Sequence, residues 1–523
     1  MVFRRISHAA VLAAGALACA LTAPAQAGQL VLENTSDGPI DCAIDGWAGA
    51  SIATAPHTLT LAPGTTHSIP PYVPIVAPPA AAPAGAKAPS ETRSGRMIGA
   101  TATAIANPPT IHWAKCGTLV FQPINVTPNG PDLHLTLNGQ QTRTLKVSLY
   151  PYIPNLPNTD FSALLTQVRS SYQAQNPQVA LIASMDENID IYDFASLTQL
   201  LSSGAFDVIE LDMLYIGFLA NSGLINPARP VGDKPLPVAM AAATVAGTLW
   251  AVPSWLCMDF IYSRDSNVQK VNSVKTLQQF LFARPSSVPV IAADFNGSWR
   301  MPSIYTNAYV QTYGKGQIAQ AQTMPPDATA MNNLATLVNF CTNVLTMINP
   351  CGNRTYHSLT PGTIEAQFAL QTVQTVVGFS EQSFYINLAL PQQLFVAPMP
   401  WAGQPQPLLF SDGFVTNSTS CPTGSTCAGD ADALIKLMTS AGMKAYIVES
   451  MDLPQGSPWR TLLSATMPFY KRPEIAGNAL YQQYTRVFQT AVPFPNNFTA
   501  TVEQSMDQGV CKALKKGVFG YAC

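Results

Sequence analysis

Hydrophobic positions in this chain follow two rules, one on each side of residue 140. Between residues 28 and about 140 they form short alternating runs: Gln29-Leu30-Val31-Leu32-Glu33, His57-Thr58-Leu59-Thr60-Leu61, Thr118-Leu119-Val120-Phe121 and Asp132-Leu133-His134-Leu135-Thr136-Leu137. Each is bounded by Gly, Pro, Asn or Asp, as half-buried strands are. The pattern predicts a small β-sandwich-like module over 28–142. Inside it, Pro70 to about Ser94 is rich in Pro and Ala and reads as a mobile loop.

From Arg143 the pattern becomes strand, helix, strand. Thr144–Tyr150, Val179–Ala183 and Phe206–Leu211 are apolar strand runs. Between them, Asp160–Asn176 carries Phe161, Leu164, Leu165 and Val168 at helical spacing, and a second helix is predicted around Phe194–Leu201. Repeated strand–helix–strand units predict a parallel sheet covered on both faces. Ligands in such sheets sit beyond the carboxyl ends of the strands, which is where Tyr150, Tyr152 and Asp212 fall. Further on, a turn at Gly247 leads into one apolar, aromatic run through Trp250, Trp255, Cys257 and Tyr262. Val376–Tyr385 contains a strand ending in Ser380-Glu381, and Leu408–Phe414 encloses Asp412. The stretch from Ala431 to about Val510 is mostly helical in period, including Ala431–Ala441 and Ala476–Ala491.

Residues 1–27 read as a secretory leader: Arg4-Arg5, an apolar stretch from about Ala9 to Leu21, and Ala25-Gln26-Ala27 as a small-residue cleavage site. A lipid anchor on Cys19 and twin-arginine export are the weaker alternatives. The apolar stretch is too short for a permanent span of about 20 residues. The product is therefore expected to be exported, periplasmic or secreted, with no stable membrane span. Charged residues make up 11% of 523 and the formal net charge is −2, which excludes an electrostatic footprint for nucleic acid.

Cysteine arithmetic narrows the chemistry. Nine cysteines follow the leader, and an oxidising compartment favours pairing. Proximity suggests Cys341 with Cys351, Cys421 with Cys427 and Cys511 with Cys523; Cys42 and Cys116 are left to each other in the amino-terminal region. Cys257 has no partner. It is either a buried inert thiol or a nucleophile.

A nucleophilic thiol needs a base. Beyond Arg143 the only histidine is His357, in a polar stretch that reads as surface loop. Glu381 and Asp412 sit in more apolar surroundings, where an unpaired charge is costly. They are acid–base candidates or structural caps. Tyr150, Tyr152, Tyr215, Trp250, Trp255, Phe379 and Tyr385 supply aromatic faces, most of them core, which beside carboxylates would suit a flat heteroaromatic cation.

Five segments in order carry a resemblance: Tyr150-Pro151-Tyr152-Ile153-Pro154, Asp207–Asp212, Val252–Cys257, Val377-Gly378-Phe379-Ser380-Glu381 and Pro407–Asp412. Together they resemble thiaminase I (thiamine pyridinylase) from Arg143 to the early 480s. The resemblance implies a two-lobed periplasmic-binding-protein-like (type II) α/β domain over 143–523. It implies Cys257 as nucleophile, Glu381 as its activating base, and Asp212, Asp412, Tyr150 and Tyr152 around the aminopyrimidine. The partners implied are thiamine or an analogue and a small nucleophile as co-substrate, with no cofactor and no metal. The amino-terminal module, Met258-Asp259 after the cysteine and the four disulfides depart from the family pattern. The alternative reading is a non-catalytic periplasmic solute-binding protein for thiamine or a related small cation.

Overall fold

The structure is a computed structural model describing residues 29–44, 57–69, 114–117, 119–121, 133–186, 189–283, 288–296, 300–343, 347–359, 362–401 and 406–523. The leader and the Pro/Ala-rich loop lie outside the described residues. The chain divides into two compact units between Gly139 and Gln140.

The first unit contains a three-stranded and a four-stranded sheet. The anticipated strands appear at Leu30–Asn34, His57–Leu61, Leu119–Phe121 and Leu133–Leu137. Three more, Ile40–Ile44, Thr66–Ile69 and Ala114–Cys116, were not anticipated. Cys42 and Cys116 are cross-strand neighbours and form a disulfide. Its 74-residue separation makes it the largest of the chain-entropy constraints, worth about 4 kcal/mol against about 2–3 kcal/mol for a loop near ten residues.

In the second unit, helices and strands alternate from the start: β1 (Arg143–Ser148), α1 (Ser162–Gln175), β2 (Val179–Ser184), α2 (Phe194–Ser202) and β3 (Val208–Asp212). Then come β4 (Val252–Cys257), β5 (Phe260–Ser263), α3 (Arg300–Tyr313) and α4 (Ala328–Asn339). These are followed by β6 (Thr375–Gly378), α5 (Gln382–Ala389), β7 (Phe395–Pro398) and β8 (Leu408–Thr416). The unit ends in α6 (Thr426–Met438), α7 (Ala441–Val448), α8 (Ala479–Phe488) and α9 (Ala500–Gly517). Side chains of Asp193, Asp327, Ser425, Ser440, Asn478 and Thr499 accept from the first-turn amides of α2, α4, α6, α7, α8 and α9. Those caps set the helix starts that periodicity alone left loose.

Two sheets give two lobes. The first is seven-stranded, with central order Leu463–Ser464, β4, β8, β3, β1, β2. β3, β1 and β2 run parallel, as do β8 and the short strand Val492–Pro493; β8 is antiparallel to both β3 and β4. The all-parallel expectation is thus corrected. The chain leaves this sheet after Cys257 and re-enters at Leu408 from the other lobe, so no helical crossover imposes a parallel direction. The second lobe has a three-stranded antiparallel sheet, β6-β5-β7. The single apolar run read through Cys257 is therefore two strands in two sheets, broken at Met258-Asp259. Both residues are buried, and a single charged position, Asp259, between two apolar strands did not mark a change of sheet.

All four anticipated disulfides are present and Cys257 is free. No described helix is long and apolar enough to cross a membrane.

Candidate active site

Strand geometry gathers the site. Glu210 and Asp212 are two apart on β3, and Trp255 and Cys257 are two apart on β4, so each pair shares a face. Asp412 of β8 stands opposite Asp212 on one side and opposite Trp255 on the other. Five side chains therefore converge on one face of the first sheet. Gly413 makes the close approach possible, because a Cβ there would lie 2.9 Å from the Val252 carbonyl oxygen.

Cys257 is the last residue of β4 and partly buried, at the junction of the lobes. Its Sγ donates to Asp412 Oδ2 at 3.7 Å. Burial pushes the thiol well above its ordinary range, and the charges of Asp412, Glu381 and Asp212 push it further. Burial also raises Asp412, reinforced by Asp212, Glu210 and Glu381. Asp212 is raised to about 7 by burial, although its carboxylate accepts from Leu214 N at 3.0 Å.

Glu381 comes from the second lobe, at the start of α5 after the β6 strand. Its turn is held by hydroxyls: Tyr484 and Thr461 donate to the Ser380 carbonyl at 3.1 and 3.0 Å, and Tyr262 donates to that of Phe379 at 2.8 Å. Ser380 Oγ donates to the Glu381 carboxylate at 3.1 Å. Burial raises Glu381; the charge of Asp259 adds to this and that of Arg300 opposes it. Asp259 and Arg300 form an ion pair at 2.6 Å, and the Arg300 guanidinium lies 4.5 Å from the centre of the Phe379 ring.

Aromatic rings close one side. Tyr150 meets Tyr152 edge-on at 5.6 Å, Tyr152 lies 5.8 Å from Tyr192, and the Tyr150 and Tyr192 hydroxyls are 3.4 Å apart. The Tyr150 amide donates to Glu210 Oε2 at 3.0 Å, tying this wall to β3. Tyr152 is 37% exposed, the open edge of the set.

The six sequence candidates thus lie on two facing walls: Cys257, Asp212, Asp412, Tyr150 and Tyr152 on one, Glu381 on the other. His357 instead pairs with Asp294 at 3.0 Å. Sequence reasoning missed Tyr192, Ser254 and Lys444. Tyr192 follows the carboxyl end of β2, a position that could have flagged it. Lys444 is a lone charge in an apolar helix. Among the described residues no cluster of His, Cys, Asp and Glu is arranged to hold a metal ion.

Both lobes and the carboxylate-lined junction between them define the class: a two-lobed α/β domain of the periplasmic-binding-protein type. Maltose-bound MalE3 of T. maritima shares the fold, with a TM-score of 0.52 at 15% identity over 72% of this chain and all of that one. Within that class the chain resembles thiaminase I in sequence as well as in fold. Thiaminase-1 of Paenibacillus thiaminolyticus is 24% identical over 292 residues, 53% of this chain and 66% of that protein, just short of two thirds of its length. The solved thiaminase I from Bacillus thiaminolyticus gives a TM-score of 0.56 at 20% identity, and that of Clostridium botulinum, in complex with thiamin, 0.52 at 16%. Each covers 71% of this chain and 99% of the other. No known family's profile matches the chain.

Proposed function

We propose that this chain is a thiaminase I-like transferase, which displaces the thiazole of thiamine with another nucleophile through a covalent bond to Cys257. The observation that carries the reading is a free thiol hydrogen-bonded to one buried carboxylate and in the field of two more, at the junction of two lobes. Such a site disfavours a thiolate while empty and favours a cation. A thiazolium offsets the carboxylate charge as it enters, which makes the thiol easier to ionise.

In the first half-reaction Glu381 takes the thiol proton and the Cys257 sulfur bonds to the pyrimidine ring. The bond from the pyrimidine's methylene to the thiazolium nitrogen breaks, and its electron pair leaves with the neutral thiazole. In the second, Glu381 assists an incoming amine or thiol at the methylene, and the carbon–sulfur bond breaks to restore the free thiol. One carboxylate can serve both halves because they need opposite proton transfers. Asp412, now the acceptor of the thiol proton, turns to the aminopyrimidine with Asp212 when the ligand is bound. Tyr150 and Tyr152 contribute the aromatic wall.

A second reading, a solute-binding protein, is favoured by the sugar-binding proteins that share the fold. Thiazole release from thiamine in the presence of pyridine separates the two. The wild-type protein should release it, and Cys257→Ser should lose about a thousandfold or more in rate. Equal consumption by Cys257→Ser rules out the covalent route; binding without release by the wild type leaves the binding protein.

A further inference from the structure

Beside the acidic wall lies a buried ammonium that the proposed reaction does not use. Lys444, on α7, has no solvent exposure. Its Nζ donates to Ser254 Oγ at 2.5 Å and lies 4.0 Å from Glu210 Oε1, with the centre of the Trp255 ring at 3.3 Å. Ser254 Oγ in turn donates to Glu210 Oε1, and Glu210 Oε2 accepts the Tyr150 amide. The donors converge on Glu210, Lys444 through Ser254 from one side and the Tyr150 amide from the other, so one carboxylate joins the lysine to the aromatic wall.

The strand is distorted to build it. Pro253 stands opposite Gly413 and Trp255 opposite Asp412, so Ser254 is an extra residue, a bulge in β4. A bulge re-aims a side chain, and here it turns Ser254 to the lysine and Glu210. Burying an ammonium is costly, and an apolar side chain of similar volume would fill the core as well. The groups that face Lys444 are Glu210 from β3, Asp412 from β8, and Ser254 and Trp255 from β4. Asp412 meets Glu210, Asp212 and Glu381 as like charges, and the ammonium, against Trp255 and Glu210 on the same face of the sheet, is the charge that opposes them.

We propose that Lys444 is a positioning residue: its positive charge favours the ionised form of Asp412 beside Cys257, against the burial and like charges that oppose it, and its relay through Ser254 and Glu210 fixes the Tyr150 wall. The role rests on reading Cys257 and Asp412 as the reacting face. The two ideas can fail separately, because the test needs neither thiamine nor turnover.

The carboxyl carbons of the full chain, labelled with 13C at aspartate and assigned with Asp412→Asn, are followed by NMR through a pH titration. Lys444→Met should raise the Asp412 midpoint by about one unit or more, and Lys444→Arg should restore it. Glu210→Gln removes a negative charge and should lower it. Opposite shifts from the two charge changes are not what a space-filling role produces. The proposal is overturned if Lys444→Met and Glu210→Gln leave the midpoint unmoved, or move it the same way. Should Lys444→Met not fold, an unmoved or raised midpoint in Glu210→Gln overturns it alone.

Discussion

The two walls of the site are built on opposite principles. On the first lobe, Asp212 and Asp412 sit within adjacent strands of one sheet, face to face in register, with Lys444 as countercharge beside Glu210 and Trp255. On the second lobe, Glu381 sits on a turn between β6 and α5, held by three hydroxyls, with the ready-made Arg300–Asp259 pair nearby. A sheet fixes where a ligand is gripped. A turn on the opposite lobe presents Glu381 to that wall from a separate element. For the proposed reaction the comparison implies a division of labour: binding on the strand-borne wall, proton transfer on the turn-borne one.

That division can be broken most sharply at Glu381. Glu381→Gln should lower kcat for thiazole release by about 10²–10⁴-fold with KM little changed, the signature of lost proton transfer. Equal losses in kcat and affinity would merge the two walls. Asp412→Asn should do the reverse, raising KM by about ten- to a hundredfold, the worth of one charge-assisted hydrogen bond. Steady-state kinetics of the two variants side by side decide it.

The smallest effect concerns stability. Asp212 on the first lobe and Glu365 on the second are each raised by burial to about 7, so the folded chain holds protons that the unfolded chain releases from about pH 4 upward. Stability contributed by these groups therefore falls as pH rises through about 4 to 7 and levels off above. Thermal unfolding across that range should show the decline, and Asp212→Asn or Glu365→Gln should each remove part of it. Lys444, lowered to about 7, adds a slope only above that pH.

The strand–helix alternation, the four disulfides and the six candidate side chains were legible in the sequence. Alternation and spacing survive without tertiary knowledge, and an odd cysteine stands out in an oxidised chain. What stayed hidden depends on long-range pairing. The break at Met258-Asp259 joins two equally apolar strands, so its place in two sheets is fixed only by partners about 120 to 160 residues away. β8 runs antiparallel for the same reason. Lys444 reaches Ser254 across 190 positions, and no local pattern encodes such a contact. Glu381 was legible because it closes an apolar strand; its supporting hydroxyls, scattered over Tyr262, Thr461 and Tyr484, were not.

The upward push on the Cys257 thiol also bears on how the chain matures. Eight other described cysteines must find their mates, and disulfide exchange proceeds by attack of a thiolate on a bridge. Once the first lobe has enclosed Cys257 among carboxylates, little thiolate is available to attack the finished bridges. The same carboxylates that push this thiol's ionisation upward keep it from scrambling the oxidative fold around it.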